Sequence, residues 1–600
     1  MRQEILIVDP FPGIWRHSSM LSSIASHLVD IGFNVTVLNC DSKAQKFCSY
    51  YFFRNKSSSY SMSQSECCRE CLARNEGRKV VLLSDAVEFK NLNSYDDLPK
   101  ELLDLNQDKS FSEWTWRDLP VGRYCAYDMG LEFKTNPAEA ITRNQSRFVS
   151  DLKNSVMILE SVISFVQNKQ PIAVIFHNGL YSANRPSWEW LKERKMLALD
   201  VRNSTNEKHR DTRYSITKTL APIFDNEFGN TWDQVKANRL NENESNEVFD
   251  FINSSINGKL FISYSAPLSK LSTSKRDTAI RENNESRTFR VLIVFNSMDE
   301  RSTTQFCLIN ESEVFVNIDD LVKLSLEVAK LCPNVDFTFR MHPRMSGDHR
   351  NPQRSPDLQK IEELLLDSPP NVQVVKPTRT TASIYDQARK SDMVISFGSS
   401  AGAILSALGF EVVLGEENYD WGHPKEIYSK TFKDGDVESL SSYISQCHSI
   451  LNLGSRRLET QNFAFRYINF SLFILTINAG LELNILTEEN LKSNKLQKIL
   501  KIFTIIIKTG ILYDLIKKTR LSLFFAKINF DWLKIYFHTI YELVNRRKKS
   551  KSKFWSLLIK NPLHDYNDLL LKEYLSSREN IDEIIYEERL IKRLDNLIKS

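Results

Sequence analysis

Short apolar runs closed by polar or Gly/Pro loops, each leading into a segment with apolar residues every third or fourth position, occur twice in this chain. Near the start, Ile5-Leu6-Ile7-Val8 gives way to Asp9 and a loop holding Pro10, Pro12 and Gly13. Leu21, Ile24, Ala25 and Leu28 then share one face of a helix expected over about 18–31. Gly32 stops it, and 34–38 reads as a second strand. An apolar run without alternation is the pattern of a strand buried on both faces. The unit therefore predicts the opening of a doubly wound parallel sheet. The same pattern returns at 290–295, with a polar loop at 296–300, a helix over about 319–331 and a strand over 335–340.

Between the two units the periodicity is uneven. Residues 42–150 are irregular, with clustered cysteines, a charged stretch and an aromatic patch at Trp114 and Trp116. A long helix is expected over about 146–168 and a buried strand over 171–176. The polar, Ser/Lys/Asn-rich stretch at 265–289 reads as a linker. The expected organisation is an N-terminal Rossmann-like domain over 1–264 with a Cys-rich insertion, and a second Rossmann-like domain over 290–455. A helical closing segment over 456–490 and a basic helical extension over 491–600 follow.

Charge sharpens that division. The chain has 600 residues and a net charge of +4, yet residues 492–553 hold 16 Lys or Arg against 3 acidic residues. A mildly acidic body thus ends in a strongly basic segment. The first apolar run is too short for a signal-peptide core, and no 18-residue apolar run lacks charges, so a cytosolic protein is expected. Nine cysteines are then not a disulfide framework. Cys68-x-x-Cys71 has zinc-knuckle spacing, and Cys40 with Cys48 would complete a four-thiolate structural site. The alternative is ordinary free cysteines near a strand end, with the adjacent Cys67 disturbing the pattern.

Two loops in the second domain carry the candidate chemistry. Phe339-Arg340-Met341-His342-Pro343-Arg344 stands where a parallel strand ends, the edge at which such sheets bind ligands. Two guanidinium groups and an imidazole there suit a phosphate or diphosphate, and Pro343 fixes the turn. A strand at 393–396 then leads through Phe397-Gly398-Ser399-Ser400 into a helix over about 401–408. Amides and hydroxyls at a helix N-terminus make an anion site, and capping serines are the plainer reading. Ser297 and Glu300 lie on the loop expected to face a donor. No GxGxxG or GxxxxGK[ST] signature occurs, which leaves redox dinucleotides and NTP hydrolysis without support.

In the order of these features, residues 4–480 resemble bacterial surface and capsule polysaccharide glycosyltransferases of the GT-B type. The His-Pro and Ser-Ser pairs are also similar to those of Kdo transferases, bacterial sialyltransferases and CDP-glycerol glycerophosphotransferases, which bind cytidine nucleotides. The resemblance implies an α/β GT-B fold, with two Rossmann-like doubly wound domains facing a cleft. It implies donor-phosphate contacts at His342, Ser399 and Ser400, and a nucleotide-sugar donor, CMP-linked by preference. Arg340 and Arg344 join them on physical grounds alone. The chain departs from the family at Ile404, where an acidic residue is usual about four positions after the Ser pair. It departs again at Gly409-Phe410-Glu411, which lacks the proline of a Gly-x-Pro turn.

An inverting enzyme of this type needs a general base on the N-terminal domain. Asp9 and His17 stand equally, with Asp41 and Asp85 behind them, and bracing or surface roles are the plainer readings of each. Arg16 could hold an anionic acceptor. His177, Asn178, Gly179 and Arg185 read either as acceptor contacts or as a turn with Asn and Gly in left-handed conformations. No metal cofactor is expected in catalysis. Residues 495–547 place Leu496, Ile499, Ile502, Phe503 and Ile506 at helical spacing among lysines, which suits an anionic inner-leaflet surface or a packed helical subdomain. No nucleic-acid module is visible. The function expected is transfer of a sugar from an activated nucleotide to a glycan or lipid-linked acceptor. A CDP-polyol phosphotransferase and a catalytically degenerate GT-B scaffold are the rivals.

Overall fold

A computed structural model describes most of residues 2–471, together with 584–599. The larger stretches outside it are 94–113, 204–213, 221–231, 261–287 apart from 267, 296–317 apart from 303, and 472–583. Asp85, Ser297, Glu300, nearly all of the expected linker at 265–289, the closing segment beyond 471 and the basic stretch at 491–583 therefore lie outside the described residues. The chain forms two compact units. The first spans 1–129 and 141–220; the second includes 130–140 and 221–475 and is rejoined by the C-terminal residues.

In the first unit, β1 (Glu4–Val8), α1 (Trp15–Asp30) and β2 (Asn34–Asn39) follow the sequence pattern. The irregular region contains α2 (Ser49–Ser57), α3 (Gln64–Val81), β3 (Val87–Asn91) and α4 (Val121–Phe133). After α5 (Pro137–Arg143) come α6 (Gln145–Lys169), β4 (Ala173–His177), α7 (Arg185–Glu193), β5 (Ala198–Asn203) and β6 (Tyr214–Thr217). The strand order is β3-β2-β1-β4-β5-β6, parallel except for β6. Ile5, Leu6, Ile7, Val174, Ile175 and Phe176 are fully buried, as their unbroken apolar runs require.

The second unit repeats that order. After α8 (Glu242–Ile256) come β7 (Phe289–Val294), α9 (Ile318–Leu331), β8 (Val335–Arg340), α10 (Asp357–Leu364), β9 (Val372–Val375) and α11 (Ile384–Arg389). They are followed by β10 (Met393–Ser396), α12 (Ser400–Ala407), β11 (Val412–Leu414), β12 (Lys430–Thr431), α13 (Val437–Ser449) and α14 (Gly454–Asn469). The sheet runs β12-β11-β10-β7-β8-β9, all parallel. Two sheets with the doubly wound order and intervening helices give an α/β fold of the GT-B type.

The chain's last described helix, α15 (Ile584–Lys599), is not a free tail. Leu590 and Leu594 are buried in the same apolar cluster as Val248, Ile252 and Phe465. Buried Glu587 pairs with Arg466 at 3.0 Å and accepts the Leu240 N–H at 3.1 Å. The end of the expected basic extension thus belongs to the core of the second unit. Among the described residues no helix is long and apolar enough to cross a membrane.

Candidate functional site

In a sheet of this order the ligand crevice opens where the chain winds away in opposite directions, between the first and fourth strands. In the second unit that point lies between β7 and β10. Register places Val294 level with Arg340 on one side and with Ser396 on the other, so the three following loops leave from one edge. Beneath them, the Phe295 ring lies 5.7 Å from both Phe339 and Phe397 and stacks on Phe397.

The His-Pro loop is a short 3-10 turn over Pro343–Ser346 with His342 as its N-cap. Nδ1 of His342 accepts the Arg344 N–H at 3.3 Å. A neutral ring held in this way carries its proton on Nε2, so that edge is a donor. Arg340 is buried and donates from Nη1 to Gln387 Oε1 at 2.6 Å; burial pulls its guanidinium down to about 10. Arg344 is buried as well. Its carbonyl accepts a 2.9 Å bond from the buried ammonium of Lys134, whose own carbonyl accepts Ser355 Oγ at 2.8 Å. Lys134, from residues 130–140, is therefore a third cation fixed at this loop, and sequence reasoning missed it because its partners lie some 210 residues away.

The Gly-Ser loop is equally specific. Gly398 has φ of 63°, a left-handed conformation that suits glycine. Ser399 is the N-cap of α12; its Oγ accepts the Ala401 N–H at 3.3 Å, which leaves its own proton to donate. Ser399 is buried and Ser400 exposed. A Cβ on Gly402 would stand 2.9 Å from Ser396 Oγ, so the helix start packs tightly on the strand. Ile404 points into the apolar cluster with Leu405 and Val412 rather than toward this loop. The position at which the resemblance led to the expectation of a carboxylate is thus a core position here.

The first unit has its own crevice edge between β1 and β4, where Val8 is level with Phe176. His177 ends β4, and His17 lies in the first turn of α1. Their rings stack with centroids 3.6 Å apart, and Tyr181 lies 6.1 Å from His17. Buried His177 bonds Asn203 Oδ1 through Nε2 at 3.0 Å, and burial pulls it down to about 4. It is neutral at pH 7.

No family model matches the chain, and no curated protein matches it in sequence. Among solved structures it is similar to the UDP-GlcNAc 2-epimerase of Neisseria meningitidis bound to UDP-GlcNAc, at 10% identity over 78% of this chain and 97% of that one, with a TM-score of 0.27. It is similar to a beta Kdo 2,4 transferase of Thermosulfurimonas dismutans at 13% identity, over 41% of this chain and 69% of that one, with a TM-score of 0.26. A sucrose-phosphate synthase of Thermosynechococcus elongatus is 9% identical over 79% of this chain and 95% of that one, with a TM-score of 0.27. The strand orders alone carry the fold assignment.

The remaining sequence candidates divide. Asp9 is 3% exposed; Oδ1 accepts Ser18 Oγ at 2.9 Å and Oδ2 pairs at 2.8 Å with Arg78, itself fully buried. That is a brace between β1, α1 and α3, and it leaves His17 as the candidate base. Asn178 has a positive φ of 52°, whereas Gly179 does not; a Cβ on Gly179 would stand 2.3 Å from Leu220 Cδ2, so that side chain would have to shift. The Gly179 N–H bonds buried Asp200 at 2.8 Å. Arg185 is buried against Glu189 at 2.7 Å and over the Tyr124 ring, a helix brace rather than an acceptor contact. Arg16 is exposed, and exposed Asp41 accepts Asn91 Nδ2 at 3.0 Å. Asp128 carried no local sequence signal. Its Oδ2 accepts both the N–H and the hydroxyl of Ser182, and burial followed by the Asp151 charge pushes it up to about 7. As for the expected zinc, no group of three or more His, Cys, Asp or Glu among the described residues is drawn together as the ligands of one ion are.

Proposed function

We propose that this protein transfers a sugar from a nucleotide-activated donor to a hydroxyl of a glycan or lipid-linked acceptor in surface polysaccharide synthesis. The observation that carries the reading is the pair of anion-suited loops on strands flanking β7. One presents His342 Nε2–H beside buried Arg340, Arg344 and Lys134. The other presents the Ser399 and Ser400 hydroxyls at the start of α12. Together they supply fixed donors and positive charge for the leaving phosphate, and a CMP-linked donor is the preferred candidate. Catalysis on this reading draws on these groups rather than on a metal ion. His17, stacked on a neutral His177, is the proposed base for the acceptor hydroxyl. The basic segment at 495–547 is the proposed contact with an anionic membrane that holds the acceptor.

The test is a panel of CMP, CDP, UDP and GDP scored by thermal shift and calorimetry, followed by product analysis with the matching nucleotide sugars. One nucleotide should raise the melting temperature. His342→Ala should weaken it by roughly 10–100-fold, the size of a lost charge-assisted hydrogen bond. Equal binding by His342→Ala, or no nucleotide bound at all, rejects the donor site.

A further inference from the structure

Asp128 stands on α4, yet its carboxylate lies against the loop that follows β4, at the crevice edge of the first unit. Oδ2 accepts the Ser182 N–H at 3.1 Å and the Ser182 hydroxyl as well, so two donors on one oxygen fix how the group is turned. Oδ1 has no hydrogen-bond partner among the described residues. It is not shut away from solvent either, for Asp128 is half-buried. A carboxylate that braces the fold spends both oxygens, as Asp9 does on Ser18 and Arg78. Asp128 leaves one open.

The residues flanking this bond are aromatic. Tyr181 precedes Ser182 and Tyr127 precedes Asp128, and the two rings meet edge-on with centroids 6.1 Å apart. Tyr181 also lies nearly parallel to His17 at 6.1 Å, and His17 in turn stacks on His177. Tyr181 and His17 are half-buried, whereas Tyr127 and His177 are buried. The charges that act on this group of side chains come in pairs. Arg147 and Asp151, both on α6, act on Asp128 and are paired with each other. Arg202 of β5 acts on both phenols and pairs with Asp200 at 2.7 Å.

An oriented carboxylate beside half-buried rings suits a sugar. A pyranose has a face of C–H groups and a rim of hydroxyls. The face packs on an aromatic ring, and a hydroxyl bonds an ionised carboxylate more strongly than a neutral acceptor. Aromatic walls with a few convergent polar groups are the usual make-up of a small-molecule site. A phosphate or a sugar acid in the same place would meet the negative charge of Asp128, beside cations that already have carboxylate partners. We propose that Tyr181 and Asp128, beside His17, seat an uncharged sugar unit, with Asp128 Oδ1 accepting one of its hydroxyls. The seat lies wholly within the first unit. It rests on the proposed sugar transfer only in that the sugar is taken to be the acceptor's.

The full chain, without nucleotide, should be titrated with the methyl glycosides of glucose, galactose and N-acetylglucosamine, and with methyl glucuronide as the anionic counterpart. Saturation-transfer NMR at pH about 8, above the value of about 7 to which Asp128 is raised, reads the binding. At least one neutral glycoside should bind, with saturation concentrated on the protons of one ring face, and the glucuronide should not. Tyr181→Ala and Asp128→Ala should each weaken that binding roughly ten-fold or more, the size of a lost charge-assisted hydrogen bond or ring contact. Far-UV circular dichroism distinguishes a lost seat from a lost fold. Should the Ala variants not fold, Tyr181→Leu and Asp128→Asn, which keep more of the shape, carry the same test with a loss of a few-fold. The inference is overturned if no neutral glycoside binds, if the glucuronide binds as well as they do, or if binding survives either substitution in a folded chain. The nucleotide panel is a separate measurement: its failure rejects the donor site and leaves a bound glycoside standing, whereas failure here with a nucleotide bound rejects the seat alone.

Discussion

Replacing Asp9 with Asn separates a base from a brace. The carboxylate ends β1 at 3% exposure, and the guanidinium it meets at 2.8 Å is completely buried. Arg78 also donates to Ser22 Oγ at 2.7 Å and to Asn75 Oδ1 at 3.2 Å, so its position is fixed by α1 and α3. The substituted amide would keep the shape and the bond from Ser18 while removing the only charge that Arg78 directly pairs with among the described residues. Stranding a buried charge costs about 3–5 kcal/mol. That is a third or more of the margin of a typical domain. Arg78→Met should cost a similar amount, because it strands Asp9 instead. The double variant should cost much less than the two singles together, since an apolar or neutral pair in the same volume is close to neutral. Urea titrations of the parent, the two singles and the double variant measure the cycle. If Asp9→Asn stays within about 0.5 kcal/mol of the parent while sugar transfer disappears, the bracing role is wrong and Asp9 returns as the base.

Two further outcomes follow from buried groups. His177 binds its proton with a value of about 4 in the folded chain, against about 6.5 when unfolded. Between these values the unfolded state holds more protons, so stability should rise by about 3 kcal/mol as pH rises from about 4 to 6.5. His177→Gln should flatten that part of the profile in denaturant titrations, and an unchanged slope would contradict the assignment. Leu594 is fully buried in α15, so Leu594→Ala should destabilise the second unit by about 2–5 kcal/mol. A loss below about 0.5 kcal/mol, read by calorimetry, would mean that the helix is a dispensable appendage.

The sheets are legible in the sequence wherever a strand is buried on both faces. Ile5–Val8 and the run that forms β7 contain almost nothing but apolar residues, and a parallel strand between two layers of helices leaves no other solution. The edge strands are not legible. Val87–Asn91 alternates Val, Glu, Phe, Lys, Asn at the rim of its sheet, and the edge strand Lys430–Thr431 is only two residues long. The region that reads as irregular hides α3, although Ser63 and Glu66 form a complete capping box at its start. The apolar face that should follow that signal is broken by Cys67, Cys68 and Cys71, of which only Cys67 is buried, and their spacing reads as ligands.

Site residues are harder to read than strands because chemistry at a sheet edge depends on partners distant in sequence. Asp9 and His17 lie eight positions apart beside the same crevice, and local sequence ranks them equally. Arg78, 69 positions beyond Asp9, turns one into half of an ion pair. His177, 160 positions beyond His17, gives the other a neutral ring to stack on. The same logic separates the cations. Arg185 finds Glu189 one turn along its own helix. Arg340 donates to the Gln387 side-chain carbonyl and Lys134 to the Arg344 backbone carbonyl, bonds that fix where these two cations stand. With Arg344 buried in the same turn, three cations gather beside His342. In a site of low dielectric an anion gains from all of them at once, far more than from the same charges in water. Their gathering at one turn on the carboxyl edge of the sheet, beside His342, is what favours this loop over the other basic positions as the proposed seat of a phosphate.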